Sequence, residues 1–293
     1  MAWCASSLSD RTFQTRLADE ISSKASCPSG VPQGSRFAPF LWRLYVSDIG
    51  VNLPKGITHQ IFADDLKLYT DCTTDDGSER LQTAVTVIAK WSKENSMRLS
   101  PEKCLVIQSR PSQISYHVSG IPLPTVVTAR DLGVLMDARL LFREHISQTA
   151  VAANRVCNLI LRAFVIRDVS VYLNLYRSLV IPRLTYCSTV WTPYLQRDVS
   201  ILESTQKRFI RMVRARCGDS ALLGSLCPVR ELHRQADDRM FRRITCSPEC
   251  DIFFDTVVNS RRSRLVYYPK FVAKTDRVNN TFAHRVTRRA RGG

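Results

Sequence analysis

Three absences narrow the reading of this 293-residue chain. No stretch approaches the run of about 18 apolar residues that a membrane-crossing helix needs, so no membrane span and no membrane partner are expected. The opening residues MAWCASSLSD lack a positive segment followed by an apolar core, so no secretory signal is expected either. None of the ten cysteines forms a C-x-x-C pair. Cys217, Cys227, Cys246 and Cys250, with His233 among them, match no standard zinc spacing. Reduced thiols in an intracellular setting are the consistent picture, with nucleus or cytoplasm left open. Glycine is scarce, at 11 residues, and there is no internal repeat or low-complexity tract.

What is present describes a folded protein with a polyanion partner. The chain is 44% hydrophobic and 23% charged, close to the folded average, and long enough for one large domain or two ordinary ones. Its net charge is +16 and its pI about 9.7. The excess is uneven: residues 201–293 hold 20 Lys/Arg against 9 Asp/Glu, and residues 1–200 hold 22 against 17. A basic balance of this size points most often to nucleic acid.

Hydrophobic spacing divides the chain into a mixed first half and a helical second half. Residues 1–30 read as polar and broken. The turn cluster GVPQGS (30–35) runs into a helix with Phe40, Leu41, Leu44 and Tyr45 at helical spacing and Pro39 in its first turn. ITHQIFA and LKLYT read as two short strands around Asp64-Asp65. A helix over 76–92 has the stripe Leu81, Ala84, Val85, Ile88 and Trp91, with Asp76 and Glu79 at capping-box spacing. CLVIQ (104–108) reads as a strand, Tyr116–Val118 with Ser119-Gly120 as a small hairpin, and DLGVLMD (131–137) as a strand with a turn. From 144 a helix carries Ile146, Ala150, Ala153, Cys157, Ile160 and Phe164. A second helix over 170–181 is expected to stop before Pro182. A third is expected to start after Asp198 as its N-cap. This third helix buries Val199, Leu202, Phe209, Ile210 and Val213. The tail RVTRRARGG is expected to lack fixed structure.

Two features carry chemistry. The first is the pair Asp64-Asp65 in IFADDLKLY. Adjacent like charges repel, and burial aggravates this, so the pair is either a solvated turn or the seat of a cation. An ion of the Mg²⁺ type takes one or two carboxylates and completes its shell with water and phosphate. Two such ions about 3.5–4 Å apart can clamp an in-line phosphoryl transfer. An acidic pair alone is weak, but this one is framed by apolar residues and follows a glycine-bearing turn. The second feature is Lys207, Arg211 and Arg214 at i, i+4, i+7 on the third helix, either an ordinary solvated face or a track for phosphates.

In order, GVPQGS, FADD, WSKENSMRLSPEKC, DLGVLMDARLLFREHI, LYRSLVIPRLTYCSTVWTPY and ESTQKRFIRMV resemble the polymerase and following helical regions of reverse transcriptases from non-LTR (LINE-type) retrotransposons. The resemblance is strong over about 30–215 and loose beyond. It implies an α+β fold: a partial right-hand polymerase palm (antiparallel sheet with helices) followed by an all-helical thumb-like region. The implied divisions are a partial palm over 1–140, thumb-like helices over 141–215 and a basic segment over 216–293. It further implies RNA-directed DNA polymerase activity with Mg²⁺ (or Mn²⁺), an RNA template, a DNA primer and deoxynucleoside triphosphates. By the same resemblance Asp64 and Asp65 are the catalytic, metal-binding acids. Pro32, Gln33, Gly34 and Ser35 face template and nucleotide, Lys103 lies near the triphosphate, and Leu132, Gly133 and Val134 match a primer-grip hairpin.

The chain departs from the family in one respect that matters. The family carries a further metal-binding aspartate on a strand well before GVPQGS, and Asp10, Asp19 and Glu20 have no flanking apolar strand. The expectation is an N-terminally truncated copy lacking the fingers and the first palm strand, and inactive alone. Arg36 also stands where the family has an apolar residue. The alternative is a non-catalytic, basic nucleic-acid-binding module.

Overall fold

The computed structural model describes residues 2–72, 75–109, 114–259, 264–270 and 280–291. They divide into two compact units, one of residues 1–106 and 112–125, the other of 107–111 and 126–293.

The first unit begins with helix α1 (Ala2–Leu8). Strands β1 (Thr12–Phe13), β2 (Arg16–Leu17), β3 (Glu20–Ile21) and β4 (Ala25–Ser26) then nest two hairpins, β1 on β4 and β2 on β3. This order was not readable from the sequence, because two-residue strands leave no period to detect. Helix α2 (Ala38–Tyr45) follows GVPQGS with Pro39 in its first turn, as expected. Strands β5 (Thr58–Phe62) and β6 (Asp65–Tyr69) pair antiparallel from Thr58↔Tyr69 to Phe62↔Asp65.

Helix α3 (Asp75–Glu94) buries Ala84, Ile88 and Trp91 from the predicted stripe. Asp76 does not cap it: the helix begins one residue earlier, and the Asp76 carboxylate pairs instead with Arg80 one turn on. Val46, Ile49, Ile88 and Trp91 form this unit's core, with Trp42, Leu66 and Leu68 packed against it. Burying each large apolar side chain here contributes about 1.5–3 kcal/mol, and this seats the β5–β6 ribbon. After a 3₁₀ turn at Pro101–Lys103 come β7 (Val106–Ile107), shorter than the expected 104–108, and the hairpin β8 (His117–Val118) and β9 (Ile121–Pro122) on Ser119-Gly120. Strand β10 (Thr125–Val126) ends this stretch.

The second unit opens with the hairpin β11 (Thr128–Asp131) and β12 (Val134–Asp137), then becomes helical. Its helices are α4 (Arg143–Ala163), α5 (Val169–Leu175), α6 (Ile181–Thr185), α7 (Ser188–Trp191), α8 (Gln196–Cys217), α9 (Val229–Thr245) and α10 (Cys250–Phe253). Strands β13 (Phe254–Asn259) and β14 (Arg264–Pro269) pair antiparallel, and helix α11 (Phe282–Arg291) comes last. The predicted faces of α4 and α8 meet in one core through Ile146, Ala150, Ala153, Cys157 and Ile160 against Leu202, Phe209 and Val213. Among the described residues every sheet has two strands.

Three expectations fail here. Pro182 does not end a helix. A π turn at Tyr176–Val180 resets the backbone, so Pro182 falls in the first turn of α6, where its missing N–H breaks no bond. Asp198 is not an N-cap: α8 starts at Gln196 after Leu195, and Asp198 lies buried in its first turn beside Arg197. The tail over 282–291 is not without structure. It forms α11, anchored by buried Val286 and by Arg285 on Asp237; residues 292–293 lie outside the described residues.

Candidate functional site

Asp64 and Asp65 occupy the bend that joins β5 to β6. Ala63 and Asp64 are its two central residues, and Asp65 opens the return strand opposite Phe62. A two-residue hairpin needs positive φ at its first central position, and Ala63 supplies it at +52°. The strand alternation then sorts the neighbours. Leu66 and Leu68 turn toward the core, while Asp65 shares the opposite face with Lys67 and Tyr69. Both aspartates are exposed, and Phe62 beside them is 62% exposed, so the acidic tip stands in solvent. The repulsion that the sequence raised is thus met by water rather than by a buried counter-charge.

One contact ties this tip to the other predicted motif. The indole Nε1 of Trp42 donates to the carbonyl of Ala63 at 2.7 Å. Trp42 belongs to α2, whose first residue donates its amide to the carbonyl of Ser35, while the amide of Ser35 donates to the carbonyl of Pro32. GVPQGS, α2 and the acidic bend therefore form one connected path. Gly34 has φ +81°, and a Cβ built on it would have open space around it. Backbone there is accessible to a ligand. Pro32 is half-buried; Gln33, Gly34 and Ser35 are exposed. Among the described residues no hydrogen bond joins Pro32–Ser35 directly to either aspartate. Lys103 ends the 3₁₀ turn with an exposed side chain.

A divalent ion asks for more oxygen donors than this tip offers. Among the described residues no group of three His, Cys, Asp or Glu side chains converges, at this tip or elsewhere. Asp64 and Asp65 offer two carboxylates and the described residues add no third, so they do not amount to a complete divalent site. The same holds for zinc: His233 is buried, with its Nε2 2.7 Å from the carbonyl of Leu184.

In the second unit, Leu132 and Gly133 form the two-residue turn of the β11–β12 hairpin with φ +44° and +85°, and Val134 is buried behind it. The Tyr186 hydroxyl donates to the Leu132 carbonyl at 2.9 Å, and Arg130 donates to the Gly133 carbonyl at 3.1 Å. On α8, Lys207, Arg211 and Arg214 are all exposed, and Arg214 pairs with Asp219 at 3.0 Å. Sequence reasoning missed Trp42, Arg130 and Tyr186. Trp42 and Tyr186 act on partners 21 and 54 residues away, and Arg130 acts on a turn carbonyl; no local pattern signals any of these contacts.

An exposed acidic bend on an antiparallel hairpin is joined through a helix to a glycine-bearing turn, in a chain of mixed α+β structure. Residues 3–122 match the family described as reverse transcriptase (RNA-dependent DNA polymerase). The chain is 25% identical over 219 residues to a probable RNA-directed DNA polymerase from transposon X-element of Drosophila melanogaster, covering 70% of this chain and 24% of that protein. It is 27% identical over 154 residues to a probable RNA-directed DNA polymerase from transposon BS of the same organism, covering 48% of this chain and 17% of that protein. It is 25% identical over 184 residues to a retrovirus-related Pol polyprotein from type-1 retrotransposable element R1 2 of Nasonia vitripennis, covering 58% of this chain and 45% of that protein. The chain thus spans less than half the length of these curated relatives. The resemblance to non-LTR reverse transcriptases, enzymes of the nucleotidyltransferase class, stands on these matches.

Proposed function

We propose that this chain is part of the RNA-directed DNA polymerase of a non-LTR retrotransposon. Residues 1–140 serve as a portion of the palm, 141–215 as thumb-like helices and 216–293 as a basic end. Asp64 and Asp65 are the carboxylates it contributes to a Mg²⁺ (or Mn²⁺) seat. Pro32–Ser35 face the RNA template and incoming deoxynucleoside triphosphate, Lys103 faces the triphosphate, and Leu132–Val134 face the DNA primer. The observation that carries this reading is the Trp42–Ala63 hydrogen bond, which joins the helix leaving GVPQGS to the bend bearing the acids.

The polypeptide by itself is inactive in this reading. Two exposed carboxylates lack the third ligand that would hold a pair of ions together, and charge neutralisation is most of what phosphoryl transfer asks of a protein. Primer extension on an RNA template with Mg²⁺ or Mn²⁺ tests this, and no extension is expected. Metal-dependent extension that Asp64→Ala abolishes would overturn the inactivity and keep the site; extension indifferent to Asp64→Ala would overturn the site.

A second reading, a nucleic-acid-binding module without catalysis, is favoured by one observation. Lys207, Arg211 and Arg214 project together into solvent from a helix whose other side is fixed in the core. Asp64→Asn separates the two, since binding alone is indifferent to it.

A further inference from the structure

The tip of the β11–β12 hairpin is held by side chains distant in sequence. Gly133 lies under the Tyr186 ring so closely that a Cβ there would come within 3.2 Å of the ring carbon Cε1. The Tyr186 hydroxyl meets the Leu132 carbonyl at 2.9 Å. Tyr186 sits at the corner between α6 and α7, followed by Cys187 at φ +49°. Its own carbonyl accepts from the indole of Trp191 at 2.8 Å, and Trp191 is 1% exposed. A continuous path thus leads from the core to the hairpin tip. The strands just behind the turn are fastened separately to α4: the Leu135 amide donates to Nδ1 of His145 at 3.2 Å, and Arg130, opposite Leu135, reaches Gln148 at 3.2 Å.

This arrangement is more directional than packing requires. Tyr186 is 53% exposed, so its ring gains little from burial. A hydroxyl aimed at a turn carbonyl fixes an angle, and the ring beneath it occupies the space that only glycine leaves free. A tyrosine hydroxyl is protonated at neutral pH and so stands there as a donor, and the neighbouring Cys187 thiol shifts its pKa further upward.

We infer that Tyr186 is a positioning residue for the Leu132–Val134 hairpin, setting the angle at which the tip meets the recessed end of a primer paired to its template. The inference rests on the primer-facing reading of that hairpin and adds the residue that aims it.

The test uses the full chain and two labelled probes, an RNA annealed to a shorter DNA primer and the same RNA single-stranded, read by fluorescence anisotropy. The wild-type chain binds the recessed hybrid more tightly than the single strand. Tyr186→Phe keeps the ring over Gly133 and removes only the hydroxyl. By misaiming the tip it lowers affinity for the hybrid about three- to tenfold and leaves single-strand affinity unchanged, while the lost intramolecular bond lowers the melting temperature by no more than about 4 °C. Gly133→Ala, which crowds the ring by a few tenths of an ångström and strains a backbone at φ +85°, reproduces the loss. Unchanged hybrid affinity in Tyr186→Phe overturns the inference and spares the primer-facing reading. Equal loss on both probes also overturns it, by making Tyr186 merely structural. A wild-type chain indifferent to the recessed end removes the primer-facing reading, and this inference with it.

Discussion

Trp191 stands edge-on between two imidazoles, with ring centroids 4.9 Å from His145 and 5.0 Å from His233. Burial, with the Arg130 guanidinium adding to it, holds His145 below its ordinary pKa. Burial also depresses His233; there Arg285 adds to the effect, while the Leu184 carbonyl, Asp237 and Glu203 oppose it. Both imidazoles are therefore neutral in the fold at pH values where the unfolded chain begins to bind protons. Stability is full above the unfolded value of about 6.5 and falls as pH drops below it, by at most about 1.4 kcal/mol per pH unit for each imidazole. The thermal midpoint should decline between pH 7.5 and 5.5, and a flat midpoint would refute the account. At this scale the sequence disclosed what is local. Asp64 and Asp65 could be placed on a bend because apolar strands flank them. Trp42 and Tyr186 were hidden because a hydrogen bond across the fold leaves no mark on the residues beside it.

Among the elements, α11 depends most on a single charged clamp. The Arg285 guanidinium meets both carboxylate oxygens of Asp237 at 2.9 Å and also donates to the Thr189 carbonyl, while Asp237 is 1% exposed. Arg289 reaches Asp237 at 3.4 Å and Asp238 at 3.0 Å. Arg285→Met leaves a buried carboxylate without its main partner and should cost about 3 kcal/mol, read by chemical denaturation. A loss below about 1 kcal/mol would show that Arg289 suffices. The clamp also explains why this helix was illegible: its basic residues suggest a solvated tail, and the acid that orders them lies 48 residues earlier. Helices α3, α4 and α8 were legible because long apolar stripes at 3.6 spacing permit little else. Helix ends were less legible, as Asp76 in α3, Pro182 in α6 and Asp198 in α8 show, since each depends on a contact or backbone adjustment outside the pattern.

For the whole molecule the governing quantity is charge, +16 over 293 residues. If Lys207, Arg211 and Arg214 each neutralise one phosphate, raising salt from 50 to 200 mM should weaken single-stranded RNA binding about 20-fold. An affinity that ignores salt over that range would count against the helical face as a binding surface. The α+β class and the order of the motifs were readable along the chain, because composition, spacing and turn chemistry agree there. The side chains that connect those motifs were not.

The paired geometry of β5 and β6 has a mechanical consequence. A ribbon of two strands twists more freely than a wide sheet, because no neighbour resists its torsion. The aspartates ride at the free end of such a ribbon, so small rotations at its root become large sweeps at its tip. Leu66 and Leu68 hold the ribbon on the core, and the indole of Trp42 braces the bend itself.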